Sequence, residues 1–242
     1  MPSKVIDAAA SIRIAGAAGI GFALLIVSAN LVLVPAGMPA PGSTPDEAIE
    51  FFRSANQPTR AVSLLLPAVW ALATVFAAGA LAAVQRAGGQ TVWAYTGFAG
   101  VLLQNATFTA VVATRLAMST VDDVASVRTL WALHETLFGF NGTFLALALT
   151  GLGAAGLAAG LLPRWLFVLG AIAAVLQFTG AVLTPLIVAG HDGLARLGLV
   201  GWLLWAIWLC GYGVCLIRHS RATHGGTANR ASAGHRTVAH PD

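Results

Sequence analysis

His134 and Glu135 are adjacent in an apolar stretch, and a His-Glu pair on a helix is half of a zinc-protease site. That chemistry needs His-Glu-x-x-His, two imidazoles one turn apart with the glutamate as base. Here the fifth position is Phe138, so the second ligand is missing and no metal site is expected. A bis-histidine haem would need a partner for His134. His191 lies near the same end of its apolar segment, but within His191-Asp192-Gly193, which reads as a turn, and the other four histidines are in the tail. Boundary histidines are more often interfacial residues than ligands. Cys210 and Cys215 are five residues apart, fall on different helix faces and form no Cys-x-x-Cys, so they read as packing residues. There is no P-loop, no Gly-x-Ser-x-Gly and no phosphatase-like Lys/Arg/His constellation. No catalytic residue and no cofactor is therefore assigned, and a non-enzymatic protein is expected.

Glu135 still needs a physical account. Gly142, Ala146, Gly153, Gly156 and Gly160 fall along one helical stripe, and small residues let helices approach closely in lipid. Glu135 precedes Gly142 by seven residues, about 20° off the same line, so it should point into the bundle. An unpaired buried carboxylate is costly, and Arg115 is its natural partner, with Arg128, Arg60 and Arg196 as rivals. Glu135 and Arg115 form either a structural ion pair or, with His134, Asn141, Gln104 and Gln177, the lining of an outward-open polar cavity. The structural reading is preferred, because edge charges and interhelical hydrogen bonds are commoner than substrate sites.

The elements that hold these residues follow from composition. Of 242 residues, 57% are hydrophobic and only 9% charged, too few charges to cover a water-facing shell. Six stretches of about 20 or more apolar residues qualify as transmembrane helices: 12–34, 61–84, 91–115, 131–162, 165–190 and 194–217. Trp93, Trp131 and Trp165 stand near span ends as interfacial anchors. The expected fold is an all-α, polytopic membrane protein, a six-transmembrane-helix bundle over residues 1–218, with short extracytoplasmic interfacial helices. No central Asp, Glu, Lys or Arg interrupts a span, which argues against an ion-coupled pump, and the two halves show no repeat.

Charge placement orients the bundle. Arg53, Arg60, Arg115, Arg128 and Arg196 would lie outside, and the remaining eight of the 13 Lys and Arg inside, if both termini are cytoplasmic. That distribution explains the high pI without nucleic acid. The first span exceeds a signal-peptide core in length and reads as a signal anchor, although Ala36 to Ala40 imitates a cleavage site. In the first external loop Thr44-Pro45-Asp46-Glu47 is a capping-box pattern that starts a short helix with Ile49 and Phe52 on its apolar side. A second short helix is expected from Thr120, with Asp123 as box partner, running on into the fourth span. The basic tail, 219–242, has no hydrophobic period and is expected to be disordered and cytoplasmic.

Leu162-Pro163-Arg164-Trp165-Leu166 followed by Leu169-Gly170, a long first loop ending near Asn56 and Arg60, and the basic tail resemble uncharacterised bacterial six-pass integral membrane proteins. The resemblance runs from Arg13 to Arg218 and implies a plasma (inner) membrane location; it carries no catalytic residues with it. The expected partners are the lipid bilayer and an apolar or weakly polar small molecule. The leading reading is a ligand-binding or accessory membrane protein. The alternatives are a small-molecule or lipid transporter with an outward-facing polar site and, less favoured, a lipid-metabolism enzyme using Glu135 and His134.

Overall fold

A segment crossing about 30 Å of hydrocarbon must satisfy its backbone N–H and C=O groups within itself, which a helix of about 20 apolar residues does. The computed structural model describes residues 8–54, 56–89 and 91–236, and these contain helices and no strand. In order they are α1 (Ala8–Leu33), α2 (Pro45–Ser54), α3 (Asn56–Ser63), α4 (Leu66–Arg86) and α5 (Thr91–Met118). Then come α6 (Val124–Ala158), α7 (Arg164–Val182), α8 (Thr184–Val188), a 3-10 turn (Asp192–Leu194) and α9 (Ala195–Arg236). Among the described residues six segments are long and apolar enough to cross a membrane: α1, α3 with α4, α5, α6, α7, and α9 as far as Arg221. The fold is the six-span helical bundle that the composition requires.

Two spans are broken where the sequence reads as continuous, and proline is the reason in each. Pro67 stands in the first turn of α4, where its missing N–H is not needed, and the chain turns just before it at 64–65. Pro185 likewise opens α8 after the fifth span stops at Val182. The fourth span is the opposite case. There is no separate helix from Thr120: α6 begins at Val124 and runs 35 residues. Its N-cap is Asp123 itself, which accepts from the Ser126 amide (2.8 Å) and hydroxyl (2.7 Å). Those two donors hold the Asp123 carboxyl below the usual carboxylate range. At the other end α9 continues as helix to Arg236, over much of the tail read as structureless; residues 237–242 lie outside the described residues.

Each span packs on the next, and α9 returns to α1, so the spans close into a ring in the order α1, α4, α5, α6, α7, α9. The middle is filled by Phe22, Phe76, Leu149, Leu152, Trp208 and Tyr212. Aromatic edges meet faces there: Phe22 on Trp205 (5.4 Å), Phe76 on Tyr212 (5.5 Å) and Trp208 on Tyr212 (5.1 Å). The Tyr212 hydroxyl donates to the Leu152 carbonyl, giving the polar tip of that ring its partner. Outward faces carry exposed Leu31, Val175 and Ile207, apolar surface suited to lipid rather than water.

α5 and α6 approach backbone to backbone: a Cβ on Gly151 would strike the Gly97 backbone and one on Gly100 the Ala148 backbone. The stripe expected to pack the fourth span is therefore only part of its interface. Gly142 does sit against the Gln177 backbone of α7 and Gly156 against Tyr212 and Leu162. Gly160 does not pack. Its φ of +68° ends the helix, with Leu161 N–H returning to the Gly156 carbonyl.

The short helices cap one end of the ring. Thr44 and Glu47 bond reciprocally (3.2 and 3.4 Å), the capping box that the sequence carries, and α2 follows. Its Ala48, Ile49, Phe51 and Phe52 pack on Met118, Val127 and Trp131, so α2 lies across the ends of α5 and α6. Polar straps hold it there, Arg128 pairing with Asp46 (2.9 Å) and Arg53 reaching the Asp122 carbonyl, and Arg60 of α3 reaches the Ser119 carbonyl beside them.

Candidate functional site

α5 and α6 are antiparallel and joined by a short turn, so the last turn of α5 faces the early turns of α6. Arg115 comes from the first and His134 and Glu135 from the second. Trp131, His134 and Phe138 lie at i, i+3 and i+7, one face of α6. Their rings stack nearly parallel, Trp131 to His134 at 4.9 Å and 10°, His134 to Phe138 at 6.1 Å and 12°. The imidazole is thus held flat between two aromatic rings, and it is buried.

Arg115 Nε donates to His134 Nε2 at 2.8 Å. A guanidinium has no acceptor, so Nε2 must be the accepting nitrogen and the ring proton must sit on Nδ1. Nδ1 in turn lies 3.4 Å from Glu135 Oε1, an ion-pair approach without hydrogen-bond geometry. The other carboxylate oxygen, Oε2, accepts the backbone N–H of Gly42 at 2.5 Å. The arrangement is a chain: guanidinium, neutral imidazole, carboxylate, backbone amide. Instead of the direct Arg115–Glu135 pair expected, a histidine stands between the two charges.

The far end of the chain is a strap, 34–44, that crosses the site from the end of α1. Gly42 has φ +88°, a conformation costly for any side chain-bearing residue, and this turn aims its N–H at Glu135. One residue on, the Ser43 carbonyl accepts the Trp131 indole N–H at 3.2 Å. Trp131 is therefore buried under the strap and α2 rather than serving as an interfacial anchor; Trp93 and Trp165, both exposed, fit that role. Sequence reading missed Gly42, Ser43 and Trp131 as members of the site. Pro41-Gly42 does signal a turn, but nothing local names a carboxylate 93 residues away as its target.

The structure brings Arg115, His134 and Glu135 together and leaves the other three candidates apart from them. Gln104 lines a cavity of about 10 Å³ at the ring centre, with Phe22, Phe76 and Trp208. Asn141 is buried, its Oδ1 without a hydrogen-bond partner. Gln177 donates to the Gly198 carbonyl (3.3 Å), tying α7 to α9. Of the rival partners for Glu135, Arg128 and Arg60 are engaged by Asp46 and Ser119. His191 is exposed, its Nδ1 3.2 Å from the Leu186 carbonyl.

Outside the ring, an open groove of about 340 Å³ lies between the strap and α2, lined by Ala36, Gly37, Pro39, Glu47, Glu50, Phe51 and Ser54. Its floor is apolar at Phe51 and its rim acidic at Glu47 and Glu50. The chain matches no protein-family model, no curated protein and no solved structure.

Proposed function

We propose that this is a non-enzymatic integral membrane protein that binds an apolar or weakly polar small molecule, or serves as an accessory subunit, through its capped end. The observation that carries the reading is where space is found. The ring centre is packed with aromatic side chains around about 10 Å³, room for roughly one water. The groove between strap and α2 has about 340 Å³, within the range of small-molecule sites. A ligand with an apolar body and a polar end would place the body on Phe51 and the end among Glu47, Glu50 and Ser54. The excess of Lys and Arg on the side of the termini supports a plasma (inner) membrane protein with both termini cytoplasmic and the groove outside.

The transporter reading requires a solute path past Gln104, Asn141 and Gln177, and the ring centre that Gln104 lines has only about 10 Å³ of space while Gln177 is tied to the Gly198 carbonyl. The enzyme reading requires a free histidine nitrogen, and both nitrogens of His134 face protein groups.

The test is mass spectrometry of small molecules retained after gentle detergent purification, on the wild-type protein and on Ala36→Phe, which fills the groove. A stoichiometric molecule that is absent from Ala36→Phe supports the reading. Retention of bulk phospholipid alone by both removes tight ligand binding. Solute-dependent uptake in proteoliposomes would replace this reading with the transporter.

A further inference from the structure

We propose that Arg115 anchors a binding site for a phosphate-type oxyanion, such as an anionic lipid headgroup or a small soluble phosphate presents, at the loop-bearing end of the bundle. A guanidinium offers five N–H donors. One, on Nε, goes to His134. Among the described residues no hydrogen bond or ion pair engages the two terminal nitrogens, and the side chain is half-buried rather than sealed. Four coplanar donors are thus left without a protein partner, the fork geometry that binds an oxyanion through two parallel hydrogen bonds.

The interposed histidine creates this vacancy. Had Glu135 paired with Arg115 directly, its two oxygens would occupy the fork. Instead one oxygen faces Gly42 and the other His134 Nδ1, so the carboxylate is turned away from the guanidinium. His134 is fixed between Trp131 and Phe138, and it holds the Arg115 stem by Nε. The fork is preorganised, which reduces the ordering cost of binding.

Depth favours the same chemistry. α5 has 28 residues, about 42 Å of helix against a hydrocarbon layer of about 30 Å. Its ends therefore reach the headgroup level, and Arg115 lies in its last turn. Lipid phosphates are found at that depth, and long basic side chains extend toward it. This site is separate from the groove between strap and α2 and does not depend on that groove being occupied.

The experiment is native mass spectrometry of the purified full chain in neutral detergent, titrated separately with phosphatidylglycerol, phosphatidylcholine and inorganic phosphate. Wild type is expected to bind phosphatidylglycerol roughly tenfold or more tightly than phosphatidylcholine. Arg115→Gln should abolish the preference. Arg115→Lys, which keeps the charge but not the fork, should weaken it, while Arg164→Gln at the opposite end leaves it unchanged. Arg115-dependent binding of inorganic phosphate that also displaces phosphatidylglycerol would assign the site to a soluble phosphate. Equal binding of the two lipids without phosphate binding overturns the proposal, as does an equal loss in Arg164→Gln, which would mark diffuse surface charge. If Arg115→Gln does not fold, Arg115→Lys decides, and unchanged affinity in that variant rejects the fork. A neutral ligand retained through the groove regardless of Arg115 would leave the ligand-binding reading standing while this one falls.

Discussion

At the scale of single residues, the chain from Arg115 through His134 and Glu135 to Gly42 works as a unit, because each group's partner is also another group's partner. Glu135→Gln removes the negative charge and turns an amide donor toward either His134 Nδ1–H or Gly42 N–H, leaving one of them facing a donor. We expect it to lower stability in detergent by roughly 2–4 kcal/mol. Because Arg115 is linked to Glu135 through the imidazole, the Arg115→Gln/Glu135→Gln double variant should lose less than the sum of the singles, by about 1 kcal/mol or more. Thermal unfolding of all four proteins measures this, and strict additivity would show that His134 does not couple the charges. Gly42→Ala should cost about 1–2 kcal/mol, since a side chain at φ +88° is strained. Its signature is local: faster protease cleavage within 35–44 while the spans stay protected. The inward orientation of Glu135 was legible from helical periodicity, and Arg115 could be nominated from its place at the same end of the neighbouring span. The intervening histidine was not, because which of two adjacent residues meets a side chain on another helix depends on the rotation of α5 against α6.

At the scale of elements, close helix contacts and caps decide what is tolerated. Gly151 touches the Gly97 backbone, so Gly151→Val must push α5 from α6 and should cost about 3 kcal/mol or prevent folding. Gly198 has nothing within 4 Å of a Cβ, and Gly198→Ala within α9 should be neutral or stabilising by about 0.5–1 kcal/mol. Comparative melting separates these outcomes, and equal effects would mean that helix propensity rather than contact governs both. The start of α6 carries a pH dependence with a definite sign. The Asp123 carboxyl is held below its ordinary range, so its cap stabilises the helix above the unfolded-state value and is lost as pH falls through the lower folded value. Amide exchange at Ser126 and Val127 should accelerate over that acid range in the wild type and be pH-independent, apart from intrinsic exchange, in Asp123→Ala. The capping box at Thr44 could be read directly because both partners lie within four residues. The small-residue stripe of the fourth span could be read only in part: periodicity finds the face with most glycines, whereas the backbone approach of Gly97 to Gly151 uses a different face.

At the scale of the whole molecule, the ring of six spans makes two positional statements that one experiment checks. An even number of crossings returns α9 to the side from which α1 starts, and the strap with α2 lies on the other side. In a Cys210→Ala/Cys215→Ala background, Ala40→Cys and Ala87→Cys should be labelled by an impermeant maleimide from opposite sides of sealed vesicles. Labelling from one side would break the six-span topology. Outward labelling of Ala40→Cys would also support the cytoplasmic placement of the termini.

What the amino-acid sequence determined by itself is everything governed by local partition and local hydrogen bonding: six apolar spans, their approximate limits, the capping box, and an inward-facing carboxylate near one end. These follow because an apolar run of about 20 residues satisfies its backbone in hydrocarbon as a helix, and because helical geometry is periodic. Closure of the ring through α1 and α9, the filling of its centre, and the strap whose Gly42 meets Glu135 were decided by tertiary structure alone. Each depends on the rotation and depth of one helix against another, and those are set by packing summed over whole faces rather than by any short stretch of residues.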